Sequence, residues 1–326
     1  MTPALNAWLP KSVIFLRDYD RHKFLSDLIA GVTVGLVALP LAMAFAIASG
    51  VSPQAGIYCA IVTGFLISAL GGSKTQIGGP TGAFVVVVSG IIAKYGIDGL
   101  FACTVMAGVL LVLLGITGMG TAVKYFPRPV IVGFTNGIAI LIASTQIRDL
   151  FGLRMDQVPG DFFHRMKAFA AAAHTVSWPA AILSIASLAV MILCLKYAKR
   201  IPGAIIVTFG ATAAVTLLHL PVETIGTRFG GIPSGLPTLA IPKFHYDVVR
   251  QLLSPAFTVA MLGAIESLMS AVVSDRMSKD KHNPNVELMA QGVANIISPL
   301  FGGLPATGAI ARTATNVRSG DRKSVV

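Results

Sequence analysis

The chain has 326 residues, of which 54% are hydrophobic and only 12% charged, and its mean hydropathy is +0.77. Soluble domains carry about 25% charged residues, so this chain lacks the polar surface that a globular soluble protein of its length requires. The net charge of +11 does not point to nucleic acid, because the basic residues are gathered in the gaps between apolar runs. A multi-span membrane protein, all-α, accounts for all three observations.

Residues 1–23 mix Trp8, Pro10, Lys11, Arg17, Asp18, Asp20, Arg21 and Lys23. They lack the apolar core and small-residue cleavage site of a secretory leader, and we read them as a cytoplasmic lead-in close to the headgroups. Uncharged or nearly uncharged runs follow at Leu28–Ser49, Val51–Leu70, Gly99–Gly118, Val130–Ile147, Ala180–Leu195, Ala204–Leu218 and Leu252–Val273. Each approaches the roughly 20 residues that cross a bilayer as a helix. Val286–Leu300 is a weaker run, interrupted by Glu287 and Gln291. Basic clusters at Lys11 to Lys23, at Lys124 and Arg128, at Lys196 to Arg200, and at Arg276 to Lys281 fall on one side if the N-terminus is inside. Arg148, Arg154, Arg165 and Lys167 violate that rule, and helical apolar spacing over Asp161–His174 predicts a surface-lying amphipathic helix to explain them. Cys59, Cys103 and Cys194 lie within apolar runs, with no disulfide or metal spacing; packing is their expected role.

The stretch Gly71–Tyr95 reads GGSKTQIGGPTGAFVVVVSGIIAKY, an apolar run too short to span, opened by Gly-Gly-Pro. About two hundred residues later GGLPATGAI at 302–310 repeats the plan of GGPTGAF at 78–84, each with Pro before Thr-Gly or Ala-Thr-Gly. Irregular backbone at membrane depth is tolerated only where it lines a cavity or is buried in protein. Paired Gly/Pro-interrupted half-spans in matching positions mark a transporter site near the midplane. Two half-helices meeting there present electropositive N-termini and unpaired N–H donors to a dehydrated anion. The candidate donors are Thr81, Gly82 and Ala83 on one side, and Ala309, Ile310 and Ala311 on the other. Arg312 in the second half-helix is a charge at membrane depth, so its default reading is functional. Glu266 is the one acid of its span and shares it with Ser270.

These residues also resemble the sulfate permease (SulP) family of anion transporters. DLIAGVTVGLVALPLAMAFAIASGV at Asp27–Val51 looks like that family's first span, with its Ala-Leu-Pro break. PQAGIYCAIVTGFLISALGGSK at Pro53–Lys74 is similar to the family signature, except that Ala55 and Ser68 stand where tyrosines are usual. FPRPVIVGFTNGIAILIASTQI at Phe126–Ile147 and LPATGAIARTATNVRSG at Leu304–Gly320 resemble further family segments. The resemblance covers Phe24 to Gly320. It implies a seven-plus-seven inverted repeat, a core domain that carries the anion between facing half-helices, and a gate domain around it. By this measure residues 24–320 form a transmembrane transporter domain with a complete first repeat and an incomplete second one. The family usually adds further spans and a STAS domain. The last six residues, DRKSVV at 321–326, depart from the family and match the translation of a common sequencing-adapter stretch, GATCGGAAGAGCGTCGTG. We therefore expect a non-native tail there, a native protein that continues beyond Gly320, and no transport by these residues alone.

The resemblance further places the anion at Thr81, Gly82, Ala83, Ala309, Ile310, Ala311 and Arg312, with Phe45 as the pocket aromatic. It makes Glu266 the coupling group, with Ser270 beside it. Sodium-coupled members look like an aspartate with a hydroxyl four residues on and a threonine on the second half-helix. Here Ile310 occupies the threonine position, which favours a proton. The expected activity is secondary transport of a small anion (sulfate, bicarbonate, chloride or a dicarboxylate) across the inner membrane, by a homodimer when full length. No cofactor or metal is expected, and no nucleic acid. A nucleobase carrier of the same architecture, or an inactive fragment, is the alternative. An enzyme is not expected: no nucleophile–base pair appears, and GGSK at Gly71–Lys74 is too short for a phosphate loop.

Overall fold

The structure is a computed structural model and describes residues 8–16, 19–125, 128–155, 158–159, 162–197, 203–231, 235, 239 and 246–319. The tail 321–326 lies outside them, as does Asp161. Four helices among the described residues are long and apolar enough to cross a membrane: Arg21–Ala48, Pro53–Leu70, Gly82–Ile116 and Val248–Ser278. The chain divides into two compact units, residues Met1–Val132 with Ser234–Val326, and residues Gly133–Pro233.

The first unit begins with a short helix α1 (Lys11–Phe15), then α2 (Arg21–Ala48) and α3 (Pro53–Leu70). The Ala-Leu-Pro break expected in the first span is not a break. α2 is one 28-residue helix with Pro40 inside it. A lone proline removes one backbone bond and is tolerated in membrane helices whose neighbours hold the shape. The buried face of α2 is a small-residue stripe, Ala30, Val34, Ala38, Ala42 and Ala46, spaced every four residues. Small side chains let helix backbones approach where lipid offers no hydrophobic drive to associate.

After α3 the chain runs extended to a two-residue strand β1 (Gly78–Gly79). Helix α4 follows over Gly82–Ile116. It contains both the short apolar run and the separate span read from the sequence, merged across a kink at Gly96 (φ 71°, ψ −175°), a conformation that glycine adopts without steric penalty. The half-helix is therefore Gly82–Tyr95.

Helix α5 (Arg128–Phe151) leads into the second unit. There α6 (Phe162–Ala171), α7 (Trp178–Tyr197), α8 (Gly203–Leu217) and α9 (Ile225–Phe229) follow in order. The amphipathic helix expected at Asp161–His174 exists as α6, with Phe163 79% exposed. Arg165 is turned inward, however. It is 3% exposed and donates to Ser144 Oγ at 3.0 Å and to the Pro159 carbonyl at 2.9 Å. Internal hydrogen bonds, rather than headgroups, hold that charge.

The chain returns to the first unit with α10 (Tyr246–Ser278) and α11 (Pro284–Ile297). A turn of 3-10 helix, a strand β2 (Thr307–Gly308) and helix α12 (Ile310–Ser319) complete it. β1 and β2 pair antiparallel, Gly78 opposite Gly308 and Gly79 opposite Thr307. Helix α11 crosses α4 so closely that a Cβ at Gly108 would lie 2.7 Å from the Gly292 carbonyl. The core of this unit gathers Phe84, Val88, Leu100, Leu111, Leu252 and Leu288. Cys59 and Cys103 are buried and Cys194 is half-buried, all as free thiols.

Glu287 and Gln291 do not interrupt α11, as the sequence led us to expect. Both are fully buried and bonded within the unit. Glu287 Oε2 accepts from the Gly72 N–H at 2.9 Å and Oε1 from Gln291 Nε2 at 3.1 Å. One turn on, Asn295 Nδ2 donates to the Ala306 carbonyl at 2.8 Å, and its Oδ1 accepts from the Ala306 N–H at 2.8 Å. A single polar face of α11 thus fastens both irregular segments, the one before β1 and the one before β2. At the same end of the unit Asp280 lies 3.7 Å from Lys11 Nζ and 3.3 Å from Lys74 Nζ. Burial pushes the Asp280 carboxyl up, but the Lys281 backbone N–H and the Lys11 and Lys74 charges outweigh it and hold it below the usual carboxylate value.

Candidate anion site at the paired half-helix tips

The two strands bring the tips of two helices together. α4 begins three residues after Gly79, and α12 begins two residues after Gly308. The strands are so short because each ends where a helix starts, and their pairing satisfies backbone groups that lipid could not.

α10 supports the pair with hydroxyls at helical spacing. Ser267 Oγ and Thr307 Oγ1 share a hydrogen bond of 2.7 Å, and Ser267 Oγ also accepts from the Gly308 N–H at 3.0 Å. Thr307 Oγ1 reaches the Gly263 carbonyl at 2.9 Å. Further along, Ser270 Oγ meets Thr313 Oγ1 at 3.1 Å, and Thr313 Oγ1 accepts from the Ile77 N–H at 3.1 Å. Ser274 and Thr75 hydroxyls bond to each other. Gln76 Nε2 donates to the Ser267 carbonyl at 3.1 Å, leaving its Oε1 buried without a partner.

The residues singled out in the sequence fall into this arrangement unequally. Thr81 precedes α4 in extended conformation, and its hydroxyl donates to Glu266 Oε2 at 2.9 Å. Gly82 and Ala83 are buried in the first turn, and no side chain caps that helix end. Ala309 is buried, but its N–H is engaged by the Ile77 carbonyl at 2.8 Å, so it is not a free donor. Ile310 and Ala311 are more open, Ile310 being 36% exposed. Ser270 is bonded to Thr313 rather than to Glu266. Phe45 is half-buried on α2, one turn past Leu41.

Arg312 is the unusual group. It is 3% exposed, and its Nη2 donates to the Pro80 carbonyl at 2.6 Å. Among the described residues its Nε and Nη1 have no hydrogen-bond partner, and it takes part in no ion pair. The fit is close, since a Cβ on Gly79 would collide with the guanidinium. A cavity of about 40 Å³ opens beside it, lined by Val34, Val37, Leu41, Ala311, Arg312 and Thr315. A buried cation with two idle donors beside two helix N-termini is an arrangement that binds anions.

The profile of the sulfate permease family matches residues 24–325. The chain belongs to the sulfate permease family. Among curated relatives, the putative sulfate transporter YvdB of Bacillus subtilis is 46% identical over 305 residues, 93% of this chain and 58% of that protein. The bicarbonate transporter BicA of Picosynechococcus is 30% identical over 309 residues, 92% of this chain and 54% of that protein. The chain thus spans little more than half the length of these relatives. Among solved structures, the transmembrane domain of a cyanobacterial BicA superposes with a TM-score of 0.83 at 31% identity, covering 93% of this chain and 79% of that one. Murine Slc26a9, captured facing inward, shares the fold with a TM-score of 0.86 at 18% identity. The all-α, multi-pass membrane architecture read from the sequence stands.

The sequence marked the two half-helix openings of this sulfate permease domain, and the structure places Glu266 and Arg312 beside Thr81 and Pro80 there. It missed Gln76, Ser267, Thr307 and Thr313, and the bracing face of α11. The spacing Gly263, Ser267, Ser270, Ser274 was the available signal, a small-and-hydroxyl stripe every three or four residues.

Proposed function

We propose that the protein carries a small inorganic anion, sulfate or bicarbonate, across the inner membrane by proton-coupled secondary transport. The observation that carries the reading is Arg312, buried beside the paired half-helix tips with two guanidinium nitrogens unpartnered among the described residues. An anion at the tips would be met by those donors and by the N–H groups of Gly82, Ala83, Ile310 and Ala311. Phe45 would close the α2 side of the site. The similarity to the putative sulfate transporter YvdB and the bicarbonate transporter BicA supports the same class of cargo.

Glu266 is the proposed coupling group, since it bonds to Thr81 at the tip of α4. Ser270 is engaged with Thr313 and position 310 is isoleucine. That leaves few oxygens for sodium and supports the proton. In this reading residues 1–23 are a cytoplasmic lead-in and residues 24–320 belong to the transporter domain. Carriage proceeds by an elevator-like shift within a homodimer.

The test is uptake of labelled sulfate and bicarbonate by proteoliposomes holding the protein as its host makes it, at two pH values. Wild type is expected to accumulate at least one of the two, faster when the outside is more acidic. Glu266→Gln, fixed in the neutral form, is expected to lose that pH dependence. Uptake of neither anion, with uracil taken up instead, would replace the anion reading with that of a nucleobase carrier.

A further inference from the structure

Thr81 has the backbone of a helix cap but does not act as one. Its φ of −127° and ψ of 158° place it as the N-cap of α4, with no side-chain capping bond. Thr224 in the same protein has nearly the same backbone (φ −114°, ψ 165°). There the hydroxyl does what a threonine at an N-cap does, accepting from the Thr227 N–H in a reciprocal capping box. Local geometry therefore permits a cap at Thr81, and the hydroxyl has been drawn away by Glu266 Oε2 at 2.9 Å. The diversion has two consequences. The Gly82 and Ala83 N–H groups of α4 receive no side-chain cap, and the hydroxyl just before that helix is bonded to a titratable group.

A threonine hydroxyl has one proton to donate and two lone pairs to accept with, and it rotates about Cβ–Oγ to suit its partners. An ionised carboxylate only accepts, so with Glu266 ionised the Thr81 proton must point at it, and the oxygen lone pairs face the tip. A protonated carboxyl supplies its own O–H and can donate to Thr81 Oγ1. The threonine proton is then free to turn toward the tip.

We propose that Thr81 couples protonation of Glu266 to anion binding by reversing its hydroxyl, donating to Glu266 when that group is ionised and to the bound anion when it is protonated. The inference rests on the anion-site reading above and supplies the means by which a proton and an anion travel together. The one proton that moves comes from water to Glu266 and leaves from it, while the Thr81 O–H bond stays intact. Arg312 is the charged group that approaches from a neighbouring helix, held to Pro80 next to Thr81. On the other elements packed against α10, Lys94 and Asp98 of α4 lie more than three turns beyond Thr81. Glu287 of α11 is bonded to Gly72 and Gln291, and Arg318 of α12 is in its last turn.

Coupling of this kind is reciprocal, so anion binding must draw a proton onto the protein and lower pH must tighten anion binding. The measurement is proton uptake, followed with a pH dye in weak buffer, as the purified protein is titrated with sulfate, chloride or formate. Formate stands in for bicarbonate without buffering near neutrality. Wild type is expected to take up protons on binding, with affinity falling by up to about tenfold per pH unit, the limit for one coupled proton. Thr81→Val is expected to bind severalfold more weakly, with no proton uptake and no pH dependence, and Thr81→Ser to restore both. Should the valine variant not fold, Thr81→Ala is read the same way. Proton uptake by a variant without the hydroxyl, equal to wild type, overturns the proposal. Wild-type binding without proton uptake overturns it too, while leaving the anion site standing. Failure of wild type to bind any of the three anions overturns the site itself.

Discussion

Arg312→Ala should weaken anion binding by about 10- to 100-fold without lowering the melting temperature. The guanidinium offers its idle Nε and Nη1, and charge-assisted hydrogen bonds contribute roughly 1.5–3 kcal/mol, about one to two decades of affinity. Stability should move the other way from function. Among the described residues the buried charge is bonded only to the Pro80 carbonyl, so relief of its desolvation offsets the cavity and the unpaired carbonyl that alanine leaves. Arg312→Lys keeps the charge but cannot span both Pro80 and the tip as a planar fork does, so its affinity should fall between the two. Equilibrium binding of sulfate, beside thermal unfolding in detergent, reads both effects. A lowered melting temperature with unchanged affinity would make Arg312 a structural residue and the site assignment wrong.

Glu287→Ala should have the opposite profile, a large loss of stability through the fold. Its carboxylate is fully buried and accepts from Gly72 and Gln291, with the Ser73 N–H also turned toward it. Alanine leaves these donors buried and unpaired at about 1–3 kcal/mol each. The sum, roughly 3–9 kcal/mol, is comparable with the total stability of many domains. Glu287→Gln retains one acceptor oxygen and the shape of the side chain, so its melting temperature should lie between alanine and wild type. A Glu287→Ala protein that melts like wild type would show that α11 does not brace the segment before β1.

The contrast between these two buried ionisable residues explains what the sequence disclosed and what it did not. Arg312 stood out because a charge follows a Gly/Pro-interrupted run, a pattern with one-dimensional form. Glu287 looked like an interruption of a weak span, because hydropathy counts a carboxylate as a cost and cannot see that N–H groups 215 residues away in sequence satisfy it. Pro40 failed as a break for the converse reason. Its local penalty was legible, while the packing of the Ala30–Ala46 stripe that keeps α2 continuous depends on neighbouring elements. Arg165 was read as lying at a membrane surface, because nothing in its own segment showed that Ser144 would accept from it. The half-helices were legible since the opening of each is marked locally, by Gly and Pro before a short run. The bond from Thr81 to Glu266 was not, because it joins residues 185 apart through a geometry that no local pattern encodes.

The central claim is that an anion sits where the tips of α4 and α12 converge on Arg312. An anomalous difference map of the protein soaked in bromide or selenate tests it most directly. A peak is expected at hydrogen-bond distance from Arg312 Nε or Nη1 and from the first-turn N–H groups of α4 and α12, absent in Arg312→Ala crystals. A peak lodged elsewhere in the molecule, or one that survives the loss of Arg312 unchanged, would contradict it.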